Sequence, residues 1–362
     1  MSTSVSRGDV LGFRLRAQQL DRASGTTADT AVLDIGVQDT GPDGALWALA
    51  IRGVDVSSVA PDDLVMLWTI RGAPHVYRRA DLPAVAAAVA PFSDADAGKR
   101  IFDATKPLKA AGIGNLEALD TVAAAMRDIV KVPMVKGEVS SLLTERMDEP
   151  YLRFCRSCNA THLYEMPFRL AAVRAGLELQ PGTSPPVLEP IPEFEQTYEV
   201  PPRLDVVRAY LHLLGPATPK HVAGYLDAPL KDVQARWPDD AVEVSLDGET
   251  RWLLAEDESS LGSGPARTTR LLGPYDLFLQ AKDRGLLIDD AAHAKALWPV
   301  LGRPGAVLVD GEIAGTWRPR KSGSRLTVQV ELWARASRKA VAEEAERLAA
   351  FRGITLTKVE MA

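Results

Sequence analysis

The stretch of residues 204–254 constrains the fold more than any other, because three helical patterns and one hairpin pattern follow each other within it. Apolar residues recur at helical spacing up to Gly215, and Thr218 with Pro219 supplies an N-cap and a favourable first position for the next helix. A third short helix precedes two β-patterned runs on either side of Asp247-Gly248, a dipeptide typical of hairpin turns. Three helices and then a hairpin is the order of a winged helix, a helix-turn-helix variant that most often binds nucleic acid.

The composition is that of an ordinary soluble globular protein, with 362 residues, 46% hydrophobic and 25% charged. No apolar run approaches the roughly 20 residues that span a bilayer, and the N-terminus has no signal-peptide core. Two cysteines are too few for a disulfide framework, which favours a reducing, cytoplasmic setting. The net charge of −6 argues against a protein that coats nucleic acid indiscriminately, but it permits a local basic groove.

Two earlier segments repeat the order of helices followed by a hairpin. In the first, helical patterns at residues 4–20, 30–37 and 43–52 are followed by β-patterned runs at residues 65–70 and 75–78. In the second, helical patterns at residues 95–105, 115–130 and 137–147 precede a hairpin around Cys155. A proline-rich connector covers residues 181–202, and a Gly/Ser-rich linker covers residues 259–266.

The C-terminal part follows a different pattern. Three β-patterned runs cover residues 306–309, 312–318 and 326–332. An amphipathic helix capped by Ser337 follows, and then a last strand at residues 354–359. This pattern indicates a small antiparallel β-domain or half-barrel with one packed helix. The whole sequence therefore predicts an α+β fold of tandem winged-helix units and a C-terminal β-domain, divided into residues 1–92, 93–200, 201–265 and 266–362.

Short segments spread along the chain match one family in order. They are Leu15-Arg16-Ala17-Gln18, Gly36-Val37-Gln38, Trp68-Thr69-Ile70-Arg71-Gly72 with His75, Cys155-Arg156-Ser157-Cys158 with His162, Arg169-Leu170-Ala171-Ala172, Gly215-Pro216-Ala217-Thr218, Leu271-Leu272-Gly273-Pro274-Tyr275-Asp276, Asp283-Arg284, Val309-Asp310-Gly311 and Gly315-Thr316-Trp317-Arg318. In these segments the sequence resembles the tandem winged-helix AlkZ-like DNA glycosylases, which remove alkylated or cross-linked purine bases from DNA. The resemblance implies a C-shaped protein that cradles duplex DNA. A hydrolytic glycosylase needs no metal or organic cofactor, and we expect a monomer.

In that family the catalytic motif is glutamine, a hydrophobic residue, and then glutamine or aspartate, and its polar side chains hold the attacking water. The matching positions here are Gln38, Asp39 and Thr40, so the motif departs from the family pattern at its second and third residues. The resemblance makes Gln38 the water-positioning residue, Asp39 the local carboxylate available as a base, and Thr40 an auxiliary. A base extruded from the duplex is expected to lie near Gln38 and Trp47.

Basic residues near two predicted hairpins are the candidates for DNA contacts, and they are Arg71, His75, Arg78, Arg318, Arg320 and Lys321. The alternatives are a structural role for His75 and a solvated hairpin tip for the C-terminal group. The hairpin of the opening stretch is locally acidic, with Asp239-Asp240, Glu243 and the run Glu256-Asp257-Glu258, which fits phosphate contact poorly.

Cys155, Cys158 and His162 have metal-like spacing, but a structural zinc site almost always has four ligands and the sequence offers no fourth nearby. The favoured interpretation is therefore a site without metal, in which both cysteines pack in the base of a hairpin and His162 binds the backbone.

Three functional hypotheses follow. The first is a duplex-DNA-binding, glycosylase-like protein that acts on alkylated or cross-linked DNA. The second is a non-catalytic DNA-binding protein, either a regulator or a lesion-shielding resistance protein. The third is a winged-helix scaffold for protein contacts, which the negative net charge keeps open.

Overall fold

A computed structural model describes residues 3–41, 43–262 and 267–362, so residues 263–266 of the predicted linker lie outside the described part of the chain. The α-helices are α1 (Arg7–Ala17), α2 (Gly44–Ala50), α3 (Leu82–Ala88), α4 (Asp94–Arg100), α5 (Thr105–Ala110), α6 (Asn115–Ile129), α7 (Lys136–Arg146), α8 (Glu165–Arg174), α9 (Val206–Leu214), α10 (Pro219–Leu226), α11 (Leu230–Gln234), α12 (Arg284–Leu287), α13 (Ala291–Leu297) and α14 (Arg338–Phe351).

The β-strands are β1 (Thr3–Val5), β2 (Val37–Gln38), β3 (Leu64–Trp68), β4 (Pro74–Arg78), β5 (Met134–Val135), β6 (Leu152–Cys155), β7 (Ala160–Leu163), β8 (Leu177–Leu179), β9 (Val187–Pro190), β10 (Ala241–Leu246), β11 (Glu249–Leu254), β12 (Thr269–Leu272), β13 (Gly305–Val309), β14 (Glu312–Ser322), β15 (Arg325–Leu332) and β16 (Thr355–Met361). The predicted α+β class is confirmed, since helices and several small sheets share the chain.

The chain forms two compact units, each built from separate stretches of sequence. The first unit contains Met1–Val59, Val207–Val222 and Trp237–Ala362, and the second contains Ala60–Val206 and Ala223–Arg236. The predicted division into four consecutive segments stays a prediction.

A five-stranded sheet in the order β12-β13-β14-β15-β16 forms the C-terminal part of the first unit. Its first four strands are antiparallel, as predicted, whereas β16 runs parallel to β15. The parallel pairing is possible because α14, capped by Ser337 as expected, returns the chain before the last strand begins. Alternate β15 residues, Leu326, Val328 and Val330, are buried, as are Val341, Ala345 and Leu348 of α14.

The first unit also holds the sheet β1-β10-β11. The hairpin β10–β11 turns at Asp247 and Gly248, whose φ angles of 50° and 82° suit the tight turn that this dipeptide predicts. β1 joins β10 in parallel, with Val5 opposite Leu246. The order of helices and hairpin along residues 204–254 is thus as predicted, and the winged-helix arrangement itself stays a prediction.

The second unit has the hairpins β3–β4 and β6–β7 and the sheet β5-β9-β8. The hairpin β3–β4 confirms the prediction for residues 65–78. Val65 and Leu67 of β3 and Tyr77 of β4 pack in one buried cluster with Leu82 and Val85 of α3. Helix α6 buries an apolar face at helical spacing, made of Leu119, Val122, Met126 and Ile129.

The helix predicted at residues 30–37 is wrong. The chain forms a short 3-10 turn, Ala31–Asp34, and then the two-residue strand β2. Gly36 lies between them with φ 87°, a left-handed conformation that ends the helical path and that glycine adopts without a steric cost. Gln38 therefore ends a strand, and Asp39 and Thr40 begin a loop, so the three side chains do not follow helical spacing.

Candidate active site

A narrow cleft in the first unit contains Gln38 and Thr40. Its lining comes from the loop before α2 and from a distant turn, and consists of Gln38, Thr40, Asp43, Gly44, Ala48, Gly273, Pro274, Tyr275 and Asp276. The cavity of about 20 Å³ is large enough for roughly one water molecule. The turn at residues 273–276 belongs to one of the segments that carry the family resemblance.

The side chains of Gln38 and Thr40 hydrogen-bond each other at the cleft. The amide nitrogen Nε2 of Gln38 donates to the hydroxyl oxygen of Thr40 at 3.0 Å. This bond fixes which end of the amide faces Thr40, so the carbonyl oxygen of Gln38 can accept a hydrogen bond from a bound water. The Thr40 hydroxyl can donate to the same water, since its proton is not used in the bond with Gln38.

Asp39 lies between these residues in sequence, but it does not line the cleft. Its Oδ1 accepts a hydrogen bond of 2.7 Å from the backbone N–H of Ala45, in the first turn of α2. A Cβ at Gly44 would lie 1.8 Å from this oxygen, so a side chain there would displace Asp39. The carboxylate thus satisfies the start of a helix, where a negative charge is favoured.

The two carboxylates that do line the cleft are both ion-paired. Asp43 binds the guanidinium of Arg352 through both of its oxygens. Asp276 binds Arg52 at 2.8 and 2.9 Å, and both side chains of this pair are fully buried. Among the described lining residues, the cleft therefore offers groups that orient water but no carboxylate without a positively charged partner.

Trp47 is a core residue with almost no exposed surface, so the expectation that an extruded base lies near it stays a prediction. Its side chain is 1% exposed, its indole N–H donates to the carbonyl oxygen of Leu271 at 2.8 Å, and its ring packs against Phe351. Tyr275 instead lines the cleft and is partly exposed, with the guanidinium of Arg303 5.4 Å from its ring centroid. Sequence reasoning did not select Tyr275, although the Gly-Pro-Tyr-Asp run indicates a turn that presents an aromatic side chain.

The loop that supplies Arg303 has an apolar tip beside two cations. Val300 is 96% exposed and Leu301 is 86% exposed. Arg284 lies 4.7 Å from the ring centroid of Trp298, at the start of the loop. Burial lowers the pKa of Arg284, and the positive charge of Arg303 acts in the same direction. Nothing in the local sequence pattern indicates this combination.

The candidates on the hairpin β3–β4 have internal partners. His75 is fully buried, with Nδ1 3.0 Å from the Ala73 carbonyl oxygen and 3.1 Å from the Thr69 hydroxyl. Burial, and secondarily the charge of Arg71, lowers the pKa of His75 to about 3, so the ring is neutral at physiological pH. The burial of His75, shared with its neighbours Val76 and Tyr77, supports the structural alternative over a contact with DNA.

The two arginines of the same hairpin also engage protein groups. Arg71 donates to the carbonyl oxygen of Tyr225 and its guanidinium lies 4.9 Å from the centroid of that ring. Arg78 binds Asp81 at 3.3 Å. Both side chains are partly buried, so the structure gives each a structural partner, and their contact with DNA stays a prediction.

The C-terminal candidates are all exposed, but they lie on two faces of one hairpin. Arg318 pairs with Gln329 and Arg320 with Thr327 across β14 and β15, whereas Lys321 pairs with Leu326. Because side chains alternate along a strand, Arg318 and Arg320 share one face, and Lys321 lies on the face of the buried Leu326. Lys358 and Glu360 of β16 extend the arginine face through their pairing with Thr327 and Gln329.

Comparison with known proteins identifies the family. A sequence profile described as DNA glycosylase AlkZ-like matches residues 20–351, which include the cleft and the C-terminal hairpin. The chain belongs to the AlkZ-like family. No curated protein matches the sequence significantly.

A solved structure supports the AlkZ-like fold over the full length. The Streptomyces sahachiroi DNA glycosylase AlkZ is similar with a TM-score of 0.76, over 99% of this chain and 100% of that one. The two sequences are 21% identical, so this likeness shows the fold. In the described part of this AlkZ-like chain, no helix is both long and apolar enough to cross a membrane.

Cys155, Cys158 and His162 form a further polar cluster in this AlkZ-like chain. Cys155 ends β6, His162 lies in β7, and Cys158 lies in the turn between these strands, where it is exposed. The cysteines are therefore at the tip of the hairpin, and the prediction that they pack in its base is wrong. A hydrogen bond with the Ser157 hydroxyl, and then one with the Cys158 backbone, lowers the pKa of the Cys155 thiol to about 6.

Proposed function

We propose that this protein binds duplex DNA and hydrolyses the N-glycosidic bond of alkylated purine nucleotides. The observation that carries the proposal is the Gln38–Thr40 pair, which faces a cavity with room for roughly one water in a chain of the AlkZ-like family. In the reaction, the bond from C1′ to the base breaks and the base leaves with the electron pair. The oxygen of the bound water forms the new bond to C1′, and the water releases a proton to solvent.

Both carboxylates of the cleft are engaged by arginines, so neither is free to act as an acid or a base, and this restricts the substrate class. A purine nucleotide alkylated at N7 or N3 is cationic, so its base departs as a neutral molecule and needs no acid to protonate it. Water placed by Gln38 and Thr40 then completes the hydrolysis without a strong base, because an oxocarbenium-like sugar is highly electrophilic. A neutral base has no such driving force, so we expect cationic lesions to be the substrates.

Several surfaces of the first unit support DNA binding by the same unit that carries the cleft. Arg318 and Arg320 offer two guanidinium groups on one strand face, where both can contact backbone phosphates. Arg303 stands beside Tyr275 at the cleft, and Val300 and Leu301 project from the same loop. Apolar side chains in such a position fill the space that an extruded nucleotide leaves in the duplex.

A second candidate is a DNA-binding protein that recognises a lesion without excising it. The observation that favours it is the hydrogen bond of Asp39 to Ala45, which engages the one carboxylate of the motif at the start of α2. Such a protein would shield the lesion rather than remove the base.

An excision assay separates these candidates. Duplex DNA carrying N7- or N3-methylated purines is incubated with excess protein, and released base and alkali-labile abasic sites are measured in a single turnover. We expect release by the wild type and a loss of at least about tenfold in Gln38→Ala, the cost of one hydrogen bond to the reacting water. The matched control is Gln234→Ala, since Gln234 is exposed at the end of α11.

Duplex binding is measured in parallel by salt titration. Tight binding without release by the wild type would establish the second candidate. Equal release by Gln38→Ala and wild type would remove Gln38 from the mechanism, and an absence of duplex binding would contradict both candidates.

A further inference from the structure

The tip of the hairpin β6–β7 gathers three metal-binding side chains. The ligand atoms of Cys155, Cys158 and His162 all lie within 4.8 Å of one another. Two thiolates on one tetrahedral zinc ion are about 3.8 Å apart, given Zn–S bonds of about 2.3 Å. The cluster therefore needs only small side-chain adjustments to close around an ion.

The fold of the hairpin explains why these three side chains meet. Cys155 is opposite Ala160 and His162 is opposite Arg153, so Cys155 and His162 share one face of the two-stranded ribbon as diagonal neighbours. Asn159, with φ 51°, closes the turn that carries Cys158 back over the ends of the strands. The convergence is produced by the register, and not only by closeness in sequence.

The histidine is already held as a metal ligand would be. Its Nδ1 lies 2.7 Å from the backbone carbonyl oxygen of Leu163, a distance at which Nδ1–H donates a hydrogen bond. This bond selects the tautomer whose lone pair is on Nε2, and metal-binding histidines commonly use the same arrangement. Two sulfur donors and one imidazole are a donor set that suits zinc well.

We propose that Cys155, Cys158 and His162 bind one Zn²⁺ ion through two Sγ atoms and Nε2, with water as the fourth ligand. The exposed position of Cys158 leaves the fourth side of the ion open to solvent. β6 and β7 form a sheet of two strands, so an ion at their ends clamps the strands together and orders the turn. The proposal is independent of the chemistry at Gln38.

Metal binding is tested on the reduced full chain after chelator treatment and removal of the chelator. Titration with Co²⁺ should give one equivalent with thiolate-to-cobalt charge-transfer bands and the visible bands of tetrahedral coordination, and Zn²⁺ should bleach them. Cys155→Ser, Cys158→Ser and His162→Ala should each weaken binding by at least about 100-fold, since even second-shell losses cost 10- to 100-fold. His162→Cys should restore the bands with an added thiolate contribution. Thr161→Val is the matched control, because Thr161 is exposed and pairs with Phe154 on the opposite face of the ribbon.

Wild-type measurements keep the test decisive if a variant misfolds. Zinc should slow alkylation of both cysteines and slow amide hydrogen exchange across residues 152–163. An absence of charge-transfer bands would overturn the proposal, as would alkylation rates that zinc leaves unchanged. Binding that survives both cysteine variants would place the metal elsewhere and would also overturn it. None of these readouts depends on base excision, so failure here is distinct from failure of the proposed hydrolysis.

Discussion

The carboxylate of Asp39 accepts a hydrogen bond of 2.7 Å from the backbone N–H of Ala45, so the middle residue of the motif holds the start of a helix. Gln38 and Thr40, on either side of it in sequence, bond each other and line the cleft. The departure from the family pattern at the second position therefore has a structural function. Asp39 ties the loop that carries Gln38 and Thr40 to the first turn of α2.

This role predicts a stability effect for Asp39. We expect Asp39→Ala to lower the free energy of unfolding by about 1 kcal/mol, the usual cost of removing a helix-capping side chain. Asp39→Asn keeps an acceptor oxygen and should cost less than half of that amount. Urea unfolding measures both, and excision per folded molecule should stay close to wild type. A large loss of excision in Asp39→Asn with normal stability would instead show that the carboxylate takes part in the chemistry.

The hydroxyl of Thr40 is expected to contribute directly to water placement. Thr40→Val keeps the shape of the side chain but removes the bond to Gln38 Nε2, so single-turnover excision should fall about tenfold, the equivalent of one neutral hydrogen bond. Thr40→Ser retains the hydroxyl and should stay near the wild-type rate. If Thr40→Val excises as fast as wild type, the hydrogen bond between the two side chains has no role in catalysis.

The register of β14 and β15 predicts different effects for two adjacent cations. Arg320→Ala should weaken duplex binding and reduce the slope of log K against log salt by about 0.9, the contribution of one phosphate contact. Lys321→Ala removes the same charge from the opposite strand face and should leave that slope unchanged. Fluorescence anisotropy at several salt concentrations measures both slopes. Equal reductions in the two variants would indicate a general charge effect and not a binding face.

His212 predicts a pH-dependent part of the stability. A hydrogen bond from its ring to Asp257 raises the pKa of His212 above 6.5, and the charges of Glu256 and Asp34 act in the same direction against burial. The protonated ring is favoured in the folded state, so its contribution is complete below pH 6.5 and is lost as the pH rises through the raised value. The side chain is 39% exposed, so solvent screening keeps the contribution to about 1 kcal/mol or less.

The His212 contribution is measured as the difference in unfolding free energy between wild type and His212→Gln from pH 5.5 to 9. We expect the difference to be largest at the acidic end and to shrink as the pH increases. A difference that grows with pH would contradict the assigned direction of the pKa shift.

Local sequence preferences are enough to predict several elements and the family. Asp247-Gly248 predicts the β10–β11 hairpin because both residues accept positive φ, and Ser337 predicts the start of α14 because its hydroxyl satisfies a free N–H group. Such preferences depend only on neighbouring residues. The ordered short segments identified the AlkZ-like family for the same reason, since they can be compared without knowing which of them meet in space.

Which side chains are available for function depends on long-range contacts that only the folded chain contains. Trp47 and His75 are buried, and the turn at Tyr275 reaches the cleft of Gln38 from a distant part of the chain. The face of each cation on the C-terminal hairpin depends on strand register, which a one-residue shift would invert. Burial, register and ion pairing result from contacts between residues far apart in sequence, so no local pattern could predict them.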